Sequence, residues 1–257
     1  MKKIFGIVLI LLLCSTAFGG EQLALVSPAS PASPGVGVSA APPSAYQQTE
    51  TFDGSSSCYS GGASNCDNVN YFDTINGDPD FTNTTPAMQG TNNLSVDSTD
   101  HAHWHFQTAQ TTNYFTFRFE ATESPASSNT FILAYDSVGG ALFYCSIRGD
   151  TNDQVFCYLD GDLFDTPDAY VDNAIVADTD YWIKFKHVSG ASCSLEVWVS
   201  TDGTTWSGSS SVSTTCSNTN QLEQIRLANA DSAPSQLYNY DIIKANNSDI
   251  TDATDDL

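Results

Sequence analysis

The stretch "HAHWHFQ" places His101, His103 and His105 at every second position, and with His187 these are all the histidines of the chain. Three imidazoles in one short run raise the question of zinc, which takes nitrogen ligands at about 2 Å in tetrahedral sites. On a strand, alternate residues sit about 6.8 Å apart, so His101 and His105 are about 13.6 Å apart at Cα. Two neighbours could share an ion, but three cannot converge on one. A third ligand would have to come from the next strand, where Glu120 is the natural candidate. Ala102, Trp104 and Phe106 alternate with the histidines and need the core, so the imidazoles point outward. The trio therefore predicts a polar outer sheet face rather than a zinc centre.

Aromatic side chains offer a second kind of chemistry. "YWIKFKHV" alternates Tyr181, Ile183 and Phe185 with Trp182, Lys184 and Lys186, and "SLEVWVS" alternates Leu195, Val197 and Val199 with Glu196, Trp198 and Ser200. If these two strands pair, Trp182 and Trp198 share an outer face with Lys184 and Glu196. Indole faces stack on the C–H faces of sugar rings, and the charged pair could orient hydroxyls at the ring edge. Tyr144 and Tyr158 are further outward aromatics. The same rings could instead be covered by a loop and form a second small core. The expected ligand set is Trp182, Trp198, Tyr144, Tyr158, Lys184 and Glu196.

The elements that would position these residues are strands. Helical periodicity is nearly absent, while period-2 runs such as "YFTFRFE", "TFILAYDS", "ALFYCSI", "QVFCYL", "QIRLANA" and "QLYNYDIIKA" recur between Gly, Asn, Asp and Ser clusters. Short alternating strands at this spacing predict an all-β fold, two antiparallel sheets packed as a jelly-roll sandwich. No repeat of fixed period suggests a propeller.

The first twenty residues, "MKKIFGIVLILLLCSTAFGG", have a Lys2–Lys3 charged start, an apolar Ile4–Leu13 stretch and small residues after it. This reads as a secretory signal over 1–19, too short for a membrane span. Leu13 stands where a lipoprotein signal wants a small residue before Cys14. Residues 20–47 are rich in Pro, Ala and Ser and predict an extended tether. The folded domain is expected at 48–245, followed by an acidic tail at 246–257. Without Lys2 and Lys3, six basic side chains face thirty acidic ones. Such a surface repels phosphate backbones and anionic membranes, so nucleic acid is not an expected partner.

Cysteine usage agrees with export. After Cys14 six remain, and six cysteines permit fifteen pairings. "FYCSIRGDTNDQVFCYL" reads as a hairpin placing Cys145 opposite Cys157. Cys58 and Cys66 bracket the loop "CYSGGASNC", which leaves Cys193 with Cys216. No C-x-x-C pair suggests a metal. Arg148-Gly149-Asp150 falls at the hairpin tip, where Gly and Asp are turn chemistry.

The run "DYWIKFKHVSGASCSLEVWVSTDGTTWS" resembles the paired strands of concanavalin A-like (laminin-G-like) jelly-roll domains. "ETFDG" with "PAMQGTNNLSV" is similar to their opening strands, and "LYNYDIIKA" to their closing strand. The likeness spans roughly residues 48 to 245. It implies the jelly roll and, by analogy with related domains, one structural Ca²⁺ held by Asp53 and Asp241. Asp160, Asp162 and Asp165 of "DGDLFD" are an alternative loop, although the spacing is not that of an EF-hand. The laminarinase-type enzymes of this fold carry Glu-x-Asp-x-Glu on one strand, with carboxylates about 5 Å apart. That triplet is absent here, and Glu120 and Glu123 are offset to opposite faces. The expectation is a secreted or cell-surface, non-catalytic module for carbohydrate or another surface ligand. The alternatives are a hydrolase or lyase of the same fold, or a structural adhesion protein.

Overall fold

The computed structural model describes residues 47–52, 72–76, 79–83, 88, 93–97, 100–122, 128–148, 154–160, 169–171, 175–228 and 237–254. All lie within the compact unit Ala40–Leu257. Residues 1–19, expected as a signal, nearly all of the expected tether 20–47, and Cys58, Cys66, Asp53, Asp162 and Asp165 lie outside the described residues.

The described strands, β1 to β15 in chain order, form two antiparallel sheets. One runs β13 (Ser207–Thr215), β12 (Ser192–Ser200), β11 (Tyr181–Val188), β6 (Thr112–Ala121), β15 (Tyr238–Asn246), β4 (Asn93–Val96) and β3 (Asp80–Asn83). β1 (Gln47–Glu50) pairs with the far end of β15, which makes eight strands. The other, seven-stranded sheet runs β10 (Ala169–Val171), β9 (Gln154–Leu159), β8 (Ala141–Arg148), β7 (Ser128–Tyr135), β14 (Leu222–Ala228), β5 (His101–Gln110) and β2 (Phe72–Asn76). The architecture is the expected all-β sandwich.

Alternation decides which side chains fill it. Phe115, Phe117 and Phe119 of β6 are fully buried, with Phe185 beside them and Phe131 and Phe143 from the opposite sheet. Phe115 stacks on Phe185 at 4.9 Å and reaches Phe143 at 6.2 Å, while Phe119 meets Phe131 at 5.3 Å. The Tyr240 hydroxyl crosses to the carbonyls of Phe131 (2.6 Å) and Ala228 (2.9 Å). Burial first, then neighbouring Tyr238, raises its pKa well above the ordinary value, so it stays a donor.

Two disulfides close hairpins along this core. Cys145 and Cys157 face each other in the β8–β9 register, with Cα atoms 4.1 Å apart, as the sequence predicts. Cys193 is bonded to Cys216 at the open end of β12 and β13.

β15 breaks its own alternation. Its register with β6 shifts between Asp241 and Lys244, and Ile242 takes a φ of 39°. A β-branched residue in the left-handed region is strained, by about 1–2 kcal/mol. The bulge turns Ile242 outward while Ile243 stays in the main core. Ile242 there joins Trp182, Ile250 and Ala253 in a second small cluster, flanked by Tyr114 and Trp206. Thus residues 246–254, read from sequence as an acidic tail, belong in part to the folded domain. Gly203 (φ +73°) allows this closure. A Cβ there would lie 2.9 Å from the Trp182 Nε1 and 2.8 Å from Thr254 Cγ2.

Three measurements follow from this packing. Cys145→Ser with Cys157→Ser removes the cross-link of a 12-residue separation; denaturant unfolding should show a loss of about 3 kcal/mol. Trp182→Ala empties the centre of the second cluster and should cost about 3–5 kcal/mol in the same assay. The third concerns His187, which is 1 % exposed and whose pKa burial pushes down to about 4. Between pH 6.5 and about 4 the unfolded chain binds this proton and the folded chain does not, so stability rises with pH across that window. Asp136 and Asp160 act below it. Burial opposes ionisation of both, but hydrogen bonds from Asn220, Asn218, Gly140 and Val138 to Asp136, and from Ser217 and Asn218 to Asp160, lower both pKa values below 3.8. Wild type should lose roughly 3 kcal/mol more than His187→Leu on going from pH 6.5 to 4.

Candidate functional site

The clearest built surface is the outer face of the seven-stranded sheet. Trp104, Ile225, Ala134, Phe143 and Leu159 point into the core, so their strand neighbours point out. The register then lines up one residue from each of five strands: His103↔Arg226, Arg226↔Leu133, Leu133↔Tyr144, Tyr144↔Tyr158. A parallel row holds His105, Gln224 and Tyr135.

The rings in these rows are ordered against each other. Tyr144 and Tyr158 stack at 4.6 Å with 13° between their planes, and Phe156 meets Tyr158 edge-on at 5.6 Å. His103 lies parallel to Tyr135 at 6.1 Å, with 5° between planes. Tyr144 is buried under its partner while Tyr158, Tyr135, His103, Gln224 and Arg226 are half-buried. Disulfide 145–157 sits one residue along from the tyrosine pair, so the cross-link that locks the hairpin register also aligns the stack.

The histidine trio lies on this outer face, as its alternation requires. The partners described for His103 and His101 are an amide and a guanidinium. His103 Nδ1 lies 3.2 Å from the Gln224 Oε1. Arg226 Nη2 lies 2.9 Å from the His101 Nδ1. Guanidinium can only donate, so that ring nitrogen is the acceptor and carries no proton. Among the described residues, no group of three or more His, Cys, Asp or Glu is arranged to hold a metal ion. Glu120 is not on a neighbouring strand: β5 sits between β14 and β2, whereas β6 belongs to the other sheet. The chain changes sheets between β5 and β6, which local pattern does not reveal.

The other predicted ligand residues lie on the outer face of the eight-stranded sheet. The register puts Lys184 opposite Trp198 and Lys186 opposite Glu196, so Trp182, Lys184, Glu196 and Trp198 do share one side. That side is not an open platform. Trp182 is only 4 % exposed beneath Ile242, Ile250 and Ala253. Lys184 is buried too; its Nζ donates to Asp249 Oδ1 (3.0 Å) and to the Ile250 carbonyl (3.2 Å). The same ammonium lies 4.5 Å from the ring centroids of both Trp198 and Trp206. Trp206 Nε1 donates to the Thr251 carbonyl (3.0 Å), and Ala253 N to the Gly203 carbonyl (3.0 Å). Lys184 and the indoles hold the C-terminal segment, leaving Trp198 and Glu196 half-buried beside it. Tyr144 and Tyr158, on the opposite sheet, cannot belong to the same site as Trp182 and Trp198.

Further along the eight-stranded sheet lies a buried polar strip. Register aligns Glu120 with Asn239, Asn239 with Ser95, and Arg118 with Asp241. Arg118 bonds the Asp180 carboxylate and the Met88 carbonyl. Burial, then Asp180 and Asp178, raises the pKa of Glu120, against Asn239 and Arg118. Asp241 is fully buried and its Oδ1 accepts the Ile242 amide at 2.9 Å. Of the nominated calcium pair only Asp241 is described, and a single carboxylate does not make the six to eight oxygens that Ca²⁺ takes. Asp160, the described member of the alternative loop, accepts from Ser217 and Asn218 amides and serves to fasten two loops together.

Sequence reasoning missed Arg226, Gln224, Tyr135 and Leu133 as companions of the tyrosines. The alternation in "QIRLANA" and "FILAY" marks their faces, but nothing local says that β14 inserts between β5 and β7.

Solved structures share this architecture at very low identity. The VIP36 exoplasmic/lumenal domain in its Ca²⁺-bound form matches with a TM-score of 0.50 at 10% identity, over 80% of this chain and 91% of that one. The structure of HCR/D-Sa-GBL1/C matches with a TM-score of 0.52 at 6% identity, over 82% of this chain and 50% of that one. Endo-β-1,4-glucuronan lyase from the fungus Trichoderma reesei matches with a TM-score of 0.45 at 11% identity, over 72% of this chain and 94% of that one. No family model matches the sequence, and neither does any curated protein. No helix among the described residues is long and apolar enough to cross a membrane. At such identities the likeness concerns the fold alone, a sandwich of two antiparallel β-sheets.

Proposed function

We propose that this chain is a secreted, non-catalytic module that binds carbohydrate on the outer face of its seven-stranded sheet. The observation that carries the reading is the Tyr144–Tyr158 stack, with half-buried Tyr158 in line with Leu133, Arg226 and His103. Stacked rings held by a cross-linked hairpin present an aromatic face at little entropic cost. Side-chain amide, imidazole and guanidinium groups flank it and can bond ring hydroxyls, the usual division of labour in sugar sites. Two disulfides and the signal-like N-terminus support an extracytoplasmic location.

Screening the mature protein on a glycan array tests the reading. Tyr158→Ala should weaken binding roughly tenfold, the worth of one stacking contact, while leaving the melting temperature nearly unchanged. Trp198→Ala should retain binding, since Trp198 lies on the other sheet. A folded Tyr158→Ala protein with full affinity would rule the site out.

A further inference from the structure

We infer that the carbohydrate recognised by this face is anionic, with a carboxylate or sulfate group met by Arg226. The inference rests on the tyrosine face being the ligand site and specifies what class of glycan it takes.

Cations in this chain are scarce, and three of the described ones are already engaged by carboxylates or rings. Eight basic residues stand against thirty acidic ones. Arg118 is paired with Asp180 and Lys184 with Asp249, and Lys186 lies over the Tyr114 ring. Arg226 differs. Among the described residues its one hydrogen bond is from Nη2 to the His101 ring, a neutral acceptor. Its Nε is buried with no hydrogen-bond acceptor. In so acidic a protein, a half-buried guanidinium with no carboxylate partner among the described residues is an electrostatic vacancy that an oxyanion would fill.

The surroundings point the same way. The row His103–Arg226–Leu133–Tyr144–Tyr158 and the adjoining His105–Gln224–Tyr135 contain no acidic side chain. Half-buried Glu223 sits in the β14 bulge beside Gln224, while the two rows themselves add no like charge against an approaching anion. Strand spacing places Arg226 about 10 Å from Tyr144 and about 14 Å from Tyr158 at Cα. One oligosaccharide can therefore stack on the tyrosines and present an acidic group to Arg226. His101 orients the guanidinium from behind, which leaves the fork's remaining donors for the ligand.

Matched oligosaccharides decide the matter. The probes are an oligouronate with its carboxyl-reduced counterpart, and a sulfated oligosaccharide with its desulfated counterpart, titrated by calorimetry into the full mature chain. Wild type should bind at least one anionic member about tenfold tighter than its neutral partner, as expected for a charge-assisted contact. The two pairs distinguish carboxylate from sulfate. Arg226→Gln should bring the anionic and neutral members of each pair to equal affinity while keeping the melting temperature. Arg226→Lys should keep part of it, because charge survives but the planar fork does not. If Arg226→Gln melts early, Arg226→Lys decides. Equal wild-type affinity for both members of each pair overturns the inference, as does a full preference in a folded Arg226 variant, and either result leaves the tyrosine site standing. A roughly tenfold weaker binding in Tyr158→Ala, together with loss of the preference in Arg226→Gln, supports both. Wild type that binds none of the probes overturns the anionic assignment, and the glycan array then judges the site separately.

Discussion

The structure depends on the apolar side of β6. Phe115, Phe117 and Phe119 stand in one line with Phe185 at their flank and Phe131 and Phe143 above them, all fully buried. Burying rings of this size is the dominant gain available to a chain so rich in Ser, Thr, Asn and Asp. Because a strand has a period of two, committing those phenylalanines inward commits Tyr114, Thr116, Arg118 and Glu120 outward. Each neighbouring strand is then held to the same parity, since a one-residue slip would exchange its faces. Two polar groups that end up inside are accommodated in place: the Tyr240 hydroxyl reaches two carbonyls of the opposite sheet, and His187 stays neutral beside Phe143.

The same parity rule makes two outer faces with different fates. On the seven-stranded sheet, the hairpin cross-linked through Cys145 and Cys157 puts Tyr144 against Tyr158, and the strand order extends that pair toward Arg226 and His103. On the eight-stranded sheet, Trp182, Lys184 and Trp198 occupy equivalent outward positions but are used to hold residues 246–254. Chemistry explains the difference. Lys184 offers an ammonium that can be desolvated between two indoles only if a carboxylate and a carbonyl complete its shell, and Asp249 and Ile250 provide both.

Bulges do much of the local tailoring. The irregularity at Asp241–Lys244 turns Ile242 outward at the expense of backbone strain, which brings it onto Trp182 in the second cluster. The Gly203 turn gives the space through which the indole of Trp182 and the side chain of Thr254 approach. Asp202, exposed at that turn, accepts from the Thr204 and Thr205 amides; these bonds, that of Thr205 first, hold its carboxyl well below the usual range.

By itself the amino-acid sequence determined that its alternating apolar runs are strands, which side of each run is apolar, that the histidines of "HAHWHFQ" face outward, and that Cys145 meets Cys157 across a short hairpin. All of these depend on neighbours within one strand or one turn, where period-2 geometry leaves few choices. Only the tertiary structure decided that β5 and β6 part to different sheets, that β14 enters between β5 and β7, and that the C-terminal segment closes over Trp182. Alternation tells a side chain which face it occupies but not which strand lies beside it or what covers it. Those facts come from pairings between residues far apart in the chain, such as Arg226 with His103 and Lys184 with Asp249, which the whole core selects together.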